Sequence, residues 1–427
     1  VGFGFGPIQS GLFLLEAFQS GHFSRLVVSE IDESLVHAVR ENGGTYWVNI
    51  ARPNGIEAVC VTGVEMLNPM EAADRAKIVQ ALADADEIAT ALPSVRLFKD
   101  HSPSSVAGLL AASGRVAANG GAAVLYAAEN HNRAAELLQD AVETASHGEF
   151  HKQVFAATGR SIEFLNTVIG KMSGLITDTQ TINQLGLKEI TPGISRAILV
   201  EEFNHILISR ITTPGFERGI EVFEEKKELL PYEEAKLYGH NAIHALLGYL
   251  ANLRGLKTMA ELRGETDLLE LGRTAFIQES GTALIRKYAS LSEPLFSEPG
   301  YRAYAEDLLE RMINPHLHDL VERIIRDPKR KLGWDDRFIG TMRLALGAGI
   351  EPVNMAAGAA AALAELLLRP TGREPALSAI VRERRPEFDE ERVRQALDDC
   401  WSGAHPSAAE HEQIMRLLED GWSRFIG

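Results

Sequence analysis

Apolar positions follow two rhythms along this chain. Up to about residue 174, short apolar runs alternate with helical segments. A first strand ends at Val1-Gly2-Phe3, and further strands are predicted at 25–30, 57–62, 87–92 and 122–126. Helices are predicted at 11–20, 69–83, 106–112 and 134–145 between and after them. Strands alternating with helices imply a parallel, doubly wound sheet with right-handed crossovers. Beyond residue 174 strand-like runs become scarce. Long amphipathic segments take over at 230–254, 267–289, 301–312, 317–326, 338–346, 353–368 and 410–422. The reading is an α/β domain over 1–190 followed by an all-α domain over 191–427.

The length of 427 residues fits two domains. The chain carries a formal charge of −16, which disfavours nucleic acid or an anionic membrane as partner, since both want a basic face. Cys60 and Cys400 lie too far apart in sequence to form a metal motif, and a reducing, cytoplasmic setting fits them. No run is long and apolar enough to span a membrane, and no signal peptide is visible. The chain opens at Val1 inside a strand, so natural residues are expected before it. Oligomeric state is not legible.

Gly4-Phe5-Gly6-Pro7-Ile8-Gln9-Ser10-Gly11 lies between a strand and a helix, the context a dinucleotide fingerprint requires. Gly4 makes the tight turn, Gly6 lets the backbone approach a pyrophosphate, and the helix start from Ile8 offers N–H groups to it. Gln9 stands where a third glycine is usual. Glu30, at the end of the second strand, can accept hydrogen bonds from ribose hydroxyls and repel a 2′-phosphate. It therefore favours NAD over NADP, with Asp32 as the alternative residue for that role.

A third stretch carries the chemistry. Read at about 100° per residue, Ile243, Leu246, Leu247 and Leu250 form one stripe, and Lys236 projects into its middle. His244 lies to one side and Asn241 further round. Burying an ammonium is costly unless its pKa falls, and a lysine so lowered can take a proton from an alcohol. Asn241 and His244, three apart, share a side where both can hold a carbonyl or alcohol oxygen. No Cys or carboxylate stands at ligand spacing beside His244, so no metal is expected.

Lys236-x4-Asn241-x2-His244 resembles the catalytic signature of the polyol-specific long-chain dehydrogenases, the mannitol dehydrogenase family. The resemblance implies a Rossmann-like N-terminal domain, a helical C-terminal domain and an active site in the cleft between them. It implies Lys236 as general base, with Asn241 and His244 positioning and polarising the reacting oxygen. Residues 85–93 resemble the family's fourth strand and the loop over the nicotinamide ribose, which brings in Thr90 and Ala91. Residues 127–130 resemble its Glu-Asn pair, which brings in Asn130. Residues 164–171 resemble the segment that closes the nucleotide domain, with Asn166 as a second amide donor opposite Asn241. There the family's Asp-Arg pair is Gly170-Lys171, and Ser209 stands where many relatives carry Asp.

Residues 278–281, 314–317, 321–332 and 336–337 resemble the mannitol-1-phosphate 5-dehydrogenase branch. Within them Arg323, Arg326, Arg330 and Lys331 form a basic spot in an acidic chain, and Arg323, Arg326 and Lys331 are expected to hold a substrate phosphate or carboxylate. The expectation is a metal-independent, NAD-dependent dehydrogenase that interconverts a sugar alcohol, free or phosphorylated, and a ketose. A sugar-acid reductase and a non-catalytic NAD-binding sensor are the alternatives. The last sixty or so residues carry no reading.

Overall fold

The change of rhythm corresponds to two compact units in a computed structural model of the chain, Val1–Leu230 and Pro231–Gly427. The structure describes residues 1–100, 102–113, 123–146, 162–404 and 406–427. Residue 122, expected to open a strand, lies outside them.

The first unit contains strands β1 (Gly2–Phe3), β2 (Leu26–Ser29), β3 (Tyr46–Arg52), β4 (Gly55–Val61), β5 (Val64–Leu67) and β6 (Glu87–Thr90). It continues with β7 (Ala123–Ala127), β8 (Ile162–Val168), β9 (Ser173–Ile176), β10 (Ala197–Glu201), β11 (Ile206–Ser209) and β12 (Phe223–Lys226). Among the described residues, one sheet runs β12-β11-β8-β7-β6-β1-β2-β5. Its six members from β8 to β5 are parallel, and β11 joins β8 antiparallel. β1 lies at the centre, with β2 on one side and β6 on the other, so strand order reverses beside it. Crevices at the carboxyl ends of strands form at such switch points. Gly4, Glu30, Ala91, Asn130 and Asn166 all lie at or just beyond those ends.

Two expectations need correction. The run at 57–62 was expected in the parallel sheet. It belongs instead to β4, which pairs antiparallel with β3 through a two-residue turn, Pro53-Asn54. Its exposed middle, Glu57 and Ala58, does not suit a strand buried on both faces, and the parallel position falls to β5. β3 and β4 join β10 and β9 in a second, four-stranded sheet. The helical half was also expected to begin at 191. Residues 197–226 instead supply β10, β11 and β12 to the first unit, because Ile198, Val200, Ile206 and Ile208 bury into its core clusters.

In the second unit the described segments are helices and turns, apart from an isolated bridge between Thr258 and Leu320. The helix Val353–Leu368 is buried throughout from Asn354 to Glu365. It lacks a side-chain cap of its own, and Glu279 serves instead. The Glu279 carboxylate accepts from the backbone N–H of Asn354 (2.8 Å) and Met355 (2.9 Å), placing negative charge at the helix start. That gives the 278–281 segment a structural role. Among the described residues the unassigned C-terminal stretch forms three helices, of which Ala408–Phe425 packs along Val353–Leu368.

Gly358 marks where Val353–Leu368 crosses the helix Ala242–Arg254. An added Cβ would lie 2.3 Å from Leu246 Cδ1 and 2.9 Å from Phe338 Cε1. Gly358→Ala is therefore expected to cost about 1–3 kcal/mol, the usual range for overpacking. A denaturant titration with an unchanged midpoint would contradict this close packing.

Candidate active site

The nucleotide end is built by the β1 turn. Gly4 has φ 80, a conformation that favours glycine, and its N–H donates to Ser29 O at 2.9 Å. A Cβ on Gly4 would meet Ala91 O at 3.3 Å, whereas one on Gly6 would meet nothing within 4 Å. The chain thus closes tightly at Gly4 and leaves room over Gly6, as a pyrophosphate approach demands. Ile8 is half-buried in the following helix, which widens into a π turn at Gln9–Phe13. The departure at Gln9 has a local compensation. Gln9 is buried against Gly2, whose own Cβ would fall 2.2 Å from Gln9 Nε2. A glycine on the strand thus gives the room that a third fingerprint glycine usually gives on the helix.

Glu30 and Asp32 have different duties. Asp32 caps the helix Glu33–Glu41 by accepting from Leu35 N and pairs with Arg196 at 2.7 Å. Its carboxyl is held below the ordinary range: burial opposes the shift, but Ser34 and Arg196 outweigh it. Glu30 accepts from the backbone N–H of Ile31 (2.7 Å) and Asp32 (2.9 Å) through one carboxylate oxygen, just past the end of β2.

Thr90 is fully buried, and its hydroxyl donates to Glu129 at 2.9 Å. Glu129 also accepts from Leu92 N at 2.8 Å, and burial raises its carboxyl above the usual range. Thr90 therefore fixes the loop, and Ala91 beside it is half-buried. Asn130 is exposed just after β7. Asn166 is committed within the first unit: its carbonyl accepts from Ala135 N and its amide donates to Glu136, both at 2.9 Å. The departure at Lys171 is a buried ammonium that donates to Phe203 O (2.9 Å) and Asn204 Oδ1 (2.6 Å).

The catalytic stretch lies wholly in the second unit, and its geometry differs from the α-helical expectation. The helix Leu230–Glu234 opens into a π turn at Ala235–Asn241 before continuing as Ala242–Arg254. The N–H of Ala242 donates to Leu237 O, five residues back. In an α-helix Lys236 and Asn241 would diverge by about 140°. The i→i+5 turn swings them toward one face, with His244 following Asn241 by three. Gly239 permits the turn to pack, since a Cβ there would meet Tyr301 Oη at 2.8 Å.

Burial lowers the Lys236 ammonium to about 8, helped by the neighbouring Arg337 charge and opposed by Glu233. A base poised there is matched to proton transfer near neutral pH. His244 Nε2 lies 2.8 Å from Asp319 Oδ2. The other carboxylate oxygen of Asp319 accepts from Arg323 Nε (3.0 Å) and Nη2 (2.5 Å). Burial would raise the Asp319 pKa, but His244 and Arg323 outweigh it and hold it at about 2. This carboxylate therefore keeps a proton on Nε2 and turns Nδ1 of His244 the other way.

The basic spot divides between tasks. Arg323 is shared with Asp319, although its side chain remains 46% exposed. Arg330 pairs with Asp327 at 3.2 Å. Lys331 is buried, donates to Arg326 O, and is lowered to about 8 by burial and by Arg337 and Arg330. Arg326 is exposed. Arg337 thus acts electrostatically on both Lys236 and Lys331, and Asp319 joins Arg323 to His244. Sequence reasoning missed Asp319, and it noted Arg337 only as part of the 336–337 resemblance, with no role. Asp319 follows His316-Leu317-His318 in an otherwise ordinary stretch, and only the tertiary fold brings it to His244.

Comparison with known proteins adds to this geometry. The mannitol dehydrogenase C-terminal domain family model matches residues 228–365, which hold the π turn, Asp319, Arg323 and Lys331. A mannitol-1-phosphate 5-dehydrogenase of Brevibacillus brevis is 28% identical over 426 residues, spanning 99% of this chain and 98% of the relative. Another, of Halalkalibacterium halodurans, is 27% identical over 369 residues, spanning 85% and 87%. Among solved structures, Pseudomonas fluorescens mannitol 2-dehydrogenase, in a ternary complex with NAD and D-mannitol, aligns with a TM-score of 0.69 at 15% identity, covering 99% of this chain and 90% of that one. A substrate-free D-sorbitol dehydrogenase aligns with a TM-score of 0.72 at 15% identity, covering 100% and 94%. At that identity the likeness is one of fold.

Proposed function

We propose that this chain is a member of the mannitol dehydrogenase family and a metal-independent, NAD-dependent dehydrogenase of a polyol phosphate, of the mannitol 1-phosphate/fructose 6-phosphate type. The observation that carries the reading is Lys236, lowered to about 8 on a π turn that also presents Asn241. Bound NAD supplies the hydride acceptor. The residues fit it: a tight turn at Gly4, open space over Gly6 and a carboxylate at Glu30.

In polyol oxidation neutral Lys236 takes the hydroxyl proton. Asn241 offers an amide N–H to the reacting oxygen, and such a donor favours the negative charge that builds there as the proton leaves. His244, its Nε2–H held by Asp319, presents Nδ1 as an acceptor that orients a substrate hydroxyl. In the reducing direction protonated Lys236 returns the proton. Arg323 recognises the anionic end of the substrate with its exposed edge, and Arg326 and Lys331 add positive charge nearby. Asn166, whose amide donates to Glu136 and whose carbonyl accepts from Ala135 N, is left out of this set.

The test is NADH formation from mannitol 1-phosphate against free mannitol, sorbitol and aldonates. Preference for the phosphate ester is expected. Equal or better turnover of the free hexitol would remove the phosphate from the reading, and reduction of a sugar acid alone would replace it.

Cofactor choice is a separate prediction. Wild type is expected to prefer NAD, and Glu30→Ser to narrow the NAD/NADP ratio in kcat/KM by removing the repulsion of a 2′-phosphate. An NADP-preferring wild type would take Glu30 out of this role.

A further inference from the structure

The second unit holds a cleft of about 520 Å³ lined by none of the side chains given a catalytic or substrate-binding role above. Tyr238, Arg286, Lys287 and Arg343 face it, over an apolar floor that includes Leu344 and Gly347. Three cations and no carboxylate line it, in a chain with 59 acidic against 43 basic residues. The counter-charges stand outside the wall: Lys287 Nζ reaches Glu234 at 2.6 Å and Arg343 Nη1 reaches Asp335 at 2.7 Å. Arg286 donates to a backbone carbonyl, Ala348 O, at 2.5 Å, and among the described residues no carboxylate pairs with it. Arg343 is stacked 4.0 Å over the Trp334 ring, and its Nε is buried without a hydrogen-bond partner.

Such a wall has the makeup of a small-molecule site: mostly apolar, a few convergent polar groups, and a volume within the ~300–1,000 Å³ such sites occupy. Guanidinium groups select oxyanions, and the tyrosine ring and Leu344 select a carbon body. We propose that this cleft is a second binding site, for a small organic anion of the phosphate-monoester class with a ring or apolar body. It is separate from the anionic-substrate residues Arg323 and Lys331. The site abuts the catalytic turn, since Tyr238 comes from the π turn that carries Lys236, and Lys287 and Tyr288 both hold Glu234 just before it.

Phenyl phosphate is the probe, titrated calorimetrically into the full chain in excess NADH. Saturable binding is expected. It should weaken at least tenfold in Arg286→Glu, which reverses that charge. Gly347→Phe should weaken it as much by filling the cleft, because a Cβ at Gly347 meets nothing within 4 Å and the fold has room for it. Arg323→Ala should leave it unchanged. Absence of saturable binding in wild type overturns the proposal, as does full affinity in either cleft variant. Loss of binding in Arg323→Ala also overturns it, because the anion then sits with the substrate residues. None of these readouts requires turnover, so the proposal stands or falls apart from the assigned reaction.

Discussion

Replacing Lys236 with alanine is expected to lower kcat for polyol oxidation by about 10²–10⁴-fold, the range that general-base catalysis supplies. NADH affinity should hold, because the residues that fit the cofactor belong to the first unit. The loss should appear in kcat more than in KM, since proton removal is realised only in the transition state. Lys236→Arg should not rescue it, because a guanidinium does not give up its proton near neutral pH. Turnover near wild type in the alanine variant, by stopped-flow or steady state, would remove Lys236 from the mechanism.

Asp319→Asn is expected to have the second largest effect, a loss on the order of 10–100-fold in kcat. The amide keeps the volume of the side chain but no longer requires a proton on His244 Nε2. Two consequences separate positioning from mere stability. In a His244→Ala background the Asp319→Asn change should cost no further kcat, because the ring it orients is gone, while any effect through Arg323 should appear in KM. By ¹⁵N NMR the His244 proton should move from Nε2 toward a mixture of tautomers. An unchanged tautomer, or an equal cost in both backgrounds, would leave Asp319 a structural ion pair. Its folded pKa, lowered to about 2, also has a stability consequence. The unfolded value is higher, so the stabilisation is complete above it and is lost as pH falls from near 4 toward 2.

Much of this was legible in the sequence because it depends on local rules. Alternating strands and helices, the glycine turn, an acidic residue at the end of β2 and a lysine on an apolar stripe each follow from short-range chemistry. The second sheet was not legible. β3 and β10 are adjacent in it although Asn49 and Leu199, which face each other, are 150 residues apart. Nor does 3.6-residue periodicity reveal a π turn: one extra residue per turn changes which side chains meet, and so the relation of Lys236 to Asn241 was misread. Thr90 was assigned to cofactor by its place in a motif, but burial commits its hydroxyl to Glu129. The pairing of Arg323 with Asp319 is at helical spacing. Its link to His244, 75 residues away, is a property of the fold alone.

The central claim, that a half-buried, desolvated lysine near pKa 8 is the base, is tested most directly by the pH dependence of kcat/KM. The reaction is oxidation of the preferred polyol by NAD. Neutral Lys236 is the active form in this direction, so log kcat/KM should rise with unit slope below about 8 and level off above it. Reduction of the ketose needs the protonated form and should fall through the same pH. A profile flat from pH 6 to 10, or one rising only near the ~10.4 of an ordinary lysine, would contradict the account.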